Sequence, residues 1–407
     1  MTAAGRTRVV VTGLGAVSGW GAGVDALWRG LSSGRTALRP VERFATGRHR
    51  TTIGAEVPAE AVADGAADRR LSLADRFALA AAGEALAEAG LAADELADAG
   101  VFFGSSTGGM WESERFYARL IGSEPGRPRL AAITSQQYNG PGDAVARQLG
   151  VGGPVETLSS ACTSGALAIA AALDALQGGE VELALAGGSD SLCELTYAGF
   201  NALRAVDPRP CRPFRADRAG MSLGEGAAVL VLETAAHAAR RGARPLAELL
   251  AGASTCDAHH MTAPAPDGDG AARAIRQALA EGGLGAEAVG FVDAHGTGTP
   301  LNDAAEWQAL SQVFAERAGE LPLTAPKGAV GHLLGAAGAL EAVATVACLR
   351  QGVVHPTAGA GPADPEMGAR LVLGGPLPCP AAAGLSINLA FGGSNAALLF
   401  ARWEPAA

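Results

Sequence analysis

The chain has 407 residues, 48% of them apolar and 18% charged, with a formal net charge of −10. This composition excludes a disordered chain and allows one large α/β domain or two of ordinary size, while the negative balance argues against a nucleic-acid or membrane surface. Six cysteines, at 162, 193, 211, 256, 348 and 379, show no CxxC pair and no metal-ligand spacing, so they read as reduced thiols and no metal is expected. Residues 1–11 carry no signal-peptide core, and no apolar run reads as long enough to cross a bilayer, which predicts a cytoplasmic location.

In chain order, residues 8–12 predict a strand running into Gly13-Leu-Gly15-Ala-Val-Ser18. A glycine turn at a strand end can cradle a pyrophosphate, but Gly19 makes this GxGxxxG, an imperfect dinucleotide fingerprint. Helices are predicted over 25–33 and 74–89, a buried strand over 99–104, an amphipathic helix over 111–121 and a helix over 140–149. Pro154 and Val155 lead into a short strand that reads as buried, and residues 166–177 form an Ala/Leu/Ile-rich helix ended by Gly178-Gly179. Buried strands follow over 181–187 and 224–233. After Arg240-Arg241-Gly242 the pattern restarts: strand 246–254, helix 270–281, strand 289–294, helices 303–315 and 333–350, strands 384–389 and 396–403. Two similar halves, 1–245 and 246–407, imply layered sheets with helices between and around them.

Between the 155 strand and the 166 helix stands Thr157-Leu-Ser-Ser-Ala-Cys162-Thr-Ser-Gly165. A sulfur at the positive end of a helix favours the reactive thiolate, and free N–H groups in the first turn can bind an oxyanion. A cysteine on an Ala-rich helix is more often core filler than nucleophile. His295 ends the 289 strand before Gly296-Thr-Gly-Thr-Pro300, and His332 lies in Lys327-Gly-Ala-Val-Gly-His332, before another helix. Two imidazoles at Gly-rich element ends suit chemistry at a carbonyl, where they can donate to an enolate and exchange protons near neutral pH. Phe391-Gly-Gly-Ser-Asn395 adds further backbone N–H groups.

With these motifs in order, the chain resembles the β-ketoacyl-acyl carrier protein synthases of the thiolase fold, the elongating condensing enzymes of type II fatty-acid and polyketide systems. The resemblance runs from residue 9 to residue 402 and includes Ser160-Ala-Cys162-Thr-Ser-Gly165, Arg212-Pro-Phe-Arg-Ala-Asp-Arg218, Leu223-Gly-Glu-Gly226, Asp257-Ala-His-His-Met-Thr262, His295-Gly-Thr-Gly-Thr-Pro300 with Asp303 and Glu306, Lys327 with His332, and Phe391-Gly-Gly-Ser-Asn395. The Cys–His–His set points to the elongating branch, since initiating synthases carry Asn in place of one His. The resemblance implies a five-layered αβαβα fold of two similar halves. It makes Cys162 the nucleophile that accepts an acyl group, and His295 and His332 the pair that holds a malonyl thioester as CO₂ leaves. It places the oxyanion on the N–H groups of Cys162 and Phe391. Lys327 would order the site and Glu341 would support its loop or a cation. Thr262, Thr297 and Thr299 would line a pantetheine tunnel.

Departures from the family pattern sit in Ile387-Asn-Leu-Ala-Phe391. Leu389 stands where the family has Phe, Ala390 replaces a glycine of the gating loop, and Ile387 replaces an Asn beside the cation site. Thr107 and the pair Gln136 and Gln137 fall where apolar residues usually face the acyl chain. These departures favour a functionalised acyl chain, hence polyketide over fatty-acid synthesis. Arg69, Arg70, Arg127, Arg129 and Arg204 match the surface that docks an acidic acyl carrier protein. The phosphopantetheine arm arrives on that carrier, so no cofactor of the chain's own is implied. A homodimer, or a heterodimer with a chain-length-factor-like subunit, is expected. Two rivals carry less. A non-catalytic partner subunit would lack the nucleophilic Cys. A degradative thiolase needs a second active-site Cys, and Cys379 is not in the Gly-rich loop where it would serve.

Overall fold

The computed structural model describes residues 6–62 and 68–404. Ten strands of its main sheet are β1 (Val9–Ser18), β2 (Gly100–Gly104), β3 (Val155–Leu158), β4 (Leu183–Asp190), β5 (Gly226–Thr234), β6 (Ala247–Cys256), β7 (Val289–Asp293), β8 (Leu323–Thr324), β9 (Ala383–Leu389) and β10 (Ser394–Ala401). The first five lie in the order β3-β2-β4-β5-β1 and the second five in the order β8-β7-β9-β10-β6, the same arrangement repeated. In each half the first three strands of that order are parallel and the other two pairings are antiparallel. The halves meet where Val9, Val10 and Val11 pair with Leu249, Glu248 and Ala247.

The helices are α1 (Val24–Ser32), α2 (Leu73–Ala89), α3 (Met110–Leu120), α4 (Gly140–Leu149), α5 (Ser164–Gly178), α6 (Glu194–Ala202), α7 (Ala235–Arg240), α8 (Asp269–Gly282), α9 (Pro300–Phe314), α10 (Lys327–Val330) and α11 (Ala337–Gln351). α5 and α11 pack on each other and on strands of both halves, α2 and α4 cover the outer face of the first half, and α8 and α9 that of the second. Five layers, αβαβα, result, as the resemblance implied. The middle layer is built from small residues: Ala166, Ala168, Ala172 and Ala175 of α5 are buried, and a Cβ on Gly165 would come within 2.9 Å of the backbone of α11. Close helix crossing needs that absence of side chain.

Three expectations are corrected, and one helix was not foreseen. β1 does not stop at a glycine turn but continues to Ser18, and a Cβ on Gly13 or Gly15 would lie 2.0 and 1.8 Å from the carbonyl oxygens of Ala85 and Ala81. Those glycines admit α2 onto the sheet and no phosphate. β3 is not buried: it is the edge of the sheet, with Val155 and Glu156 exposed. One stretch, Ala161–Gly178, is long and apolar enough to cross a membrane by composition, but 67% of it is buried between the half-sheets. The helix α6 had no expectation at all, because its segment, Glu-Leu-Thr-Tyr-Ala-Gly-Phe-Asn-Ala, has a weak apolar period and an internal glycine.

Candidate active site

Cys162 sits in the turn between β3 and α5 and is 7% exposed. The residue before it, Ala161, has φ +46°, a left-handed conformation that a β-carbon disfavours. Two hydroxyls hold it there: Ser106 Oγ and Ser164 Oγ donate to the Ala161 carbonyl at 2.8 and 2.6 Å. His295 follows β7. Its backbone N–H and that of Gly296 donate to the Glu306 carboxylate of α9 at 2.6 and 2.9 Å, and Asp303 accepts from Gly298 N–H at 3.1 Å. The acids of the first turns of α9 thus pin the glycine-rich loop that carries one histidine. His332 follows α10, and its N–H donates to the Ser222 carbonyl at 2.8 Å.

One ligand atom from each of Cys162, His295 and His332 lies within 4.8 Å of the other two, and the imidazoles meet edge to face with centroids 5.3 Å apart. The hydrogen bonds fix both tautomers. Lys327 Nζ donates to His295 Nδ1 at 3.0 Å, and Leu334 N–H donates to His332 Nδ1 at 3.2 Å. Each ring therefore carries its proton on Nε2, and His332 Nε2 is buried with no protein partner among the described residues. Burial, then the charge of Lys327, pushes both imidazoles well below 6.5, so they stand neutral. Two neutral N–H donors beside one thiol can bind a carbonyl that becomes an enolate. The same three atoms are spaced as metal ligands would be, but an ion would have to displace the Nε2 protons that the Nδ1 contacts enforce.

Behind His295, Lys327 pairs with Glu341, which also accepts from Asn388 Nδ2; all three side chains are buried. Burial pushes Glu341 up to about 7, opposed by the charge of Lys327. Cys162 departs from its expected thiolate state. Burial pushes the thiol up to about 11, and the pull of Lys327 and of the Phe391 backbone N–H, which donates to the sulfur, does not offset it. The resting group is a thiol that must hand over its proton as it attacks.

The site opens into a cavity of about 490 Å³. Cys162, His295 and His332 stand in it with Thr262, Thr297, Thr299, Leu389, Ala390 and Phe391. Thr299 also accepts from Asn302 N–H as the cap of α9, so its tunnel position and its capping role coincide. Phe391 packs on Phe200 with ring centroids 5.7 Å apart.

With this geometry in place, the comparisons decide the family. Profiles described as "Beta-ketoacyl synthase, N-terminal domain" and "Beta-ketoacyl synthase, C-terminal domain" match residues 6–238 and 246–360. The chain belongs to the β-ketoacyl synthase family. It is an acyltransferase of the condensing type. It is 36% identical over 411 residues to 3-oxoacyl-[acyl-carrier-protein] synthase 2 of Synechocystis sp., covering 98% of this chain and 99% of that one. Among solved structures it superposes on the ishigamide ketosynthase/chain length factor with a TM-score of 0.92 at 33% identity, covering 98% and 100% of the two chains. It also superposes on a type II PKS ketosynthase bound to the hexaketide in complex with its acyl-carrier protein, with a TM-score of 0.89 at 28% identity over 98% and 100% of the chains.

Some residues proposed from this β-ketoacyl synthase's sequence lie elsewhere than expected. Thr107 does not face the cavity: its hydroxyl donates to Asp190 at 2.9 Å, a carboxylate that turns it into the protein. Gln136 and Gln137 are exposed, with their backbone against Gly108, and do not line the cavity of the single chain. Ile387 packs in the core of the second half and offers no ligand atom. Arg69, Arg70, Arg127 and Arg129 are exposed, Arg204 is exposed on the cavity rim, and none of the five forms an ion pair among the described residues. Sequence reading missed Arg50, Phe200, Met221, Leu301 and Asn302, which also line the cavity. It also missed Asn388, although that residue stands inside the Ile387 to Phe391 motif.

Proposed function

We propose that this chain is an elongating ketosynthase that joins a Cys162-bound acyl chain to malonyl-acyl carrier protein, in type II polyketide biosynthesis. The observation that carries the reading is the Cys162–His295–His332 cluster, with one ligand atom of each within 4.8 Å of the others and both Nδ1 atoms taken up, which leaves the Nε2–H groups as donors. Cys162 sulfur attacks the acyl thioester, the bond from the acyl carbon to the pantetheine sulfur breaks, and the thiol proton passes to the departing pantetheine thiolate, since both imidazoles already hold their Nε2 protons. The tetrahedral oxyanion sits on the N–H groups of Cys162 and Phe391. Malonyl then loses CO₂ as its C–C bond breaks, and the electron pair becomes an enolate whose oxygen takes both Nε2–H bonds. The enolate carbon attacks the acyl-Cys162 carbonyl, the C–S bond breaks, and the thiolate regains a proton from solvent. Lys327 and Glu341 act through His295, and no cofactor resident on the chain enters any step.

Support for a polyketide substrate comes from Leu389 and Ala390 in the cavity wall and from the type II PKS ketosynthase neighbour; Thr107 and Gln137 no longer contribute to it. Fatty-acid elongation is the second reading, favoured by the 36% identity to the Synechocystis synthase. The carrier protein docks over Arg69, Arg70, Arg127, Arg129 and Arg204, and the exposed β3 edge pairs with a second subunit. That subunit is another copy or a chain-length-factor-like chain, in keeping with the ishigamide neighbour. The division at 245/246 and the cytoplasmic location complete the reading. Intact mass after incubation with saturated, unsaturated and β-functionalised acyl-carrier proteins tests the substrate. Adducts with functionalised or polyene chains are expected, and adducts with saturated chains alone would move the chain to fatty-acid elongation.

A further inference from the structure

Asp190, the last residue of β4, is fully buried and no cation touches it among the described residues. Its carboxylate instead collects donors. One oxygen accepts from Ser105 Oγ at 2.6 Å, from Thr107 N–H and Oγ1 at 2.9 Å each, and from Ser106 N–H at 3.0 Å. The other accepts from Gly335 N–H at 2.7 Å and Ser106 N–H at 2.9 Å. A buried anion held only by neutral donors is costly unless every donor is well placed, so the surrounding chain is fixed in space by its demand for them.

Both ends of that network reach the reacting groups. Ser106, gripped through its N–H, donates its hydroxyl to the carbonyl of Ala161, the left-handed residue before Cys162. Gly335 follows Leu334, whose own φ is +54° and whose N–H sets the tautomer of His332. A Cβ on Gly335 would lie 2.7 Å from the Asp190 carboxylate, so the turn has one way to sit. The two segments come from opposite halves of the chain.

We propose that Asp190 is a positioning residue for the condensing reaction, clamping the Cys162 turn through Ser106 and the His332 turn through Gly335. The proposal rests on the condensing reading above. In Asp190→Asn one oxygen becomes an amide that faces N–H donors, which disturbs both branches; Ser106→Ala removes only the branch to Cys162. Displacements of an ångström at reacting atoms lower rates by about two orders of magnitude.

Three readouts test it on the full-length protein: acyl loading of Cys162 by intact mass, CO₂ release from malonyl-carrier protein, and alkylation of Cys162 by iodoacetamide with exposed Cys256 in the same molecule as reference. Asp190→Asn is expected to lose at least tenfold in both loading and CO₂ release, with KM for the carrier proteins unchanged. Ser106→Ala is expected to lose about tenfold in loading and in Cys162 alkylation while CO₂ release stays within twofold. Wild-type rates in a folded Asp190→Asn protein, or an equal loss of both half-reactions in Ser106→Ala, would overturn the clamp. If Asp190→Asn does not fold, the Ser106→Ala split decides. The alkylation readout needs no substrate, so it separates a failed clamp from a failed condensing assignment.

Discussion

Replacing Lys327 with Met tests how the charges behind His295 are held. Lys327 and Glu341 are a buried pair, both side chains 2% exposed or less, and removing one partner of such a pair costs about 3–5 kcal/mol. The cost should depend on pH in a set direction. Glu341 stands at about 7 in the folded protein with Lys327 present, against 4.5 for the ordinary carboxyl. A folded value above the unfolded one means that the folded state binds more protons, so stability falls as pH rises from the unfolded value to the folded one. In the wild type this loss is complete soon above pH 7. Without the ammonium, Glu341 moves higher still, and the decline continues at about 1.4 kcal/mol per pH unit beyond pH 7. For a chain of this length that is roughly 1–2 °C of melting temperature per unit. Thermal melts of wild type, Lys327→Met and Lys327→Met/Glu341→Gln at pH 7 and 8 provide the assay. The single variant should show the extra slope and the double variant should lose it. Parallel slopes in wild type and Lys327→Met would refute the reasoning.

His295→Ala and His332→Ala should each lower condensation by about 10²–10³-fold, the typical loss for one donor to a developing oxyanion, while acyl loading, followed by intact mass, falls less. Because both imidazoles lie well below 6.5, condensation at saturating substrate should show no histidine limb between pH 6 and 7; a loss of activity there on acidification would contradict their neutral state. Iodoacetamide trapping of Cys162 should keep accelerating up to pH 10, in keeping with a thiol near 11, and a plateau below pH 8 would restore the thiolate reading. Gly15→Ala should destabilise the fold by about 1–3 kcal/mol through overpacking against α2, read as a lower denaturation midpoint; an unchanged midpoint would remove the packing role assigned to that glycine.

The alternation of apolar strands with Ala-rich helices was enough to place nearly every element, because buried strands and small-residue helices differ in length and in glycine punctuation. The Cys162, His295 and His332 positions were legible for the same reason: each sits where an element ends beside small residues. Side-chain direction was not legible. Thr107 reads as a wall residue until Asp190, 83 positions away, takes its hydroxyl, and nothing local to either residue announces that bond. The charge state of Cys162 was misread because a helix start favours thiolate only where the sulfur keeps some solvent. Gly13 and Gly15 read as a turn that ends the strand because the sequence shows a missing Cβ but not what occupies its place.

The most direct test of the central claim is to incubate the wild type and Cys162→Ala with acyl-carrier protein and malonyl-carrier protein and to identify the product by mass spectrometry. A β-ketoacyl-carrier protein two carbons longer than the starting acyl chain, formed by the wild type through an adduct on Cys162 and absent from Cys162→Ala, is the predicted result. The same product from Cys162→Ala would contradict the mechanism.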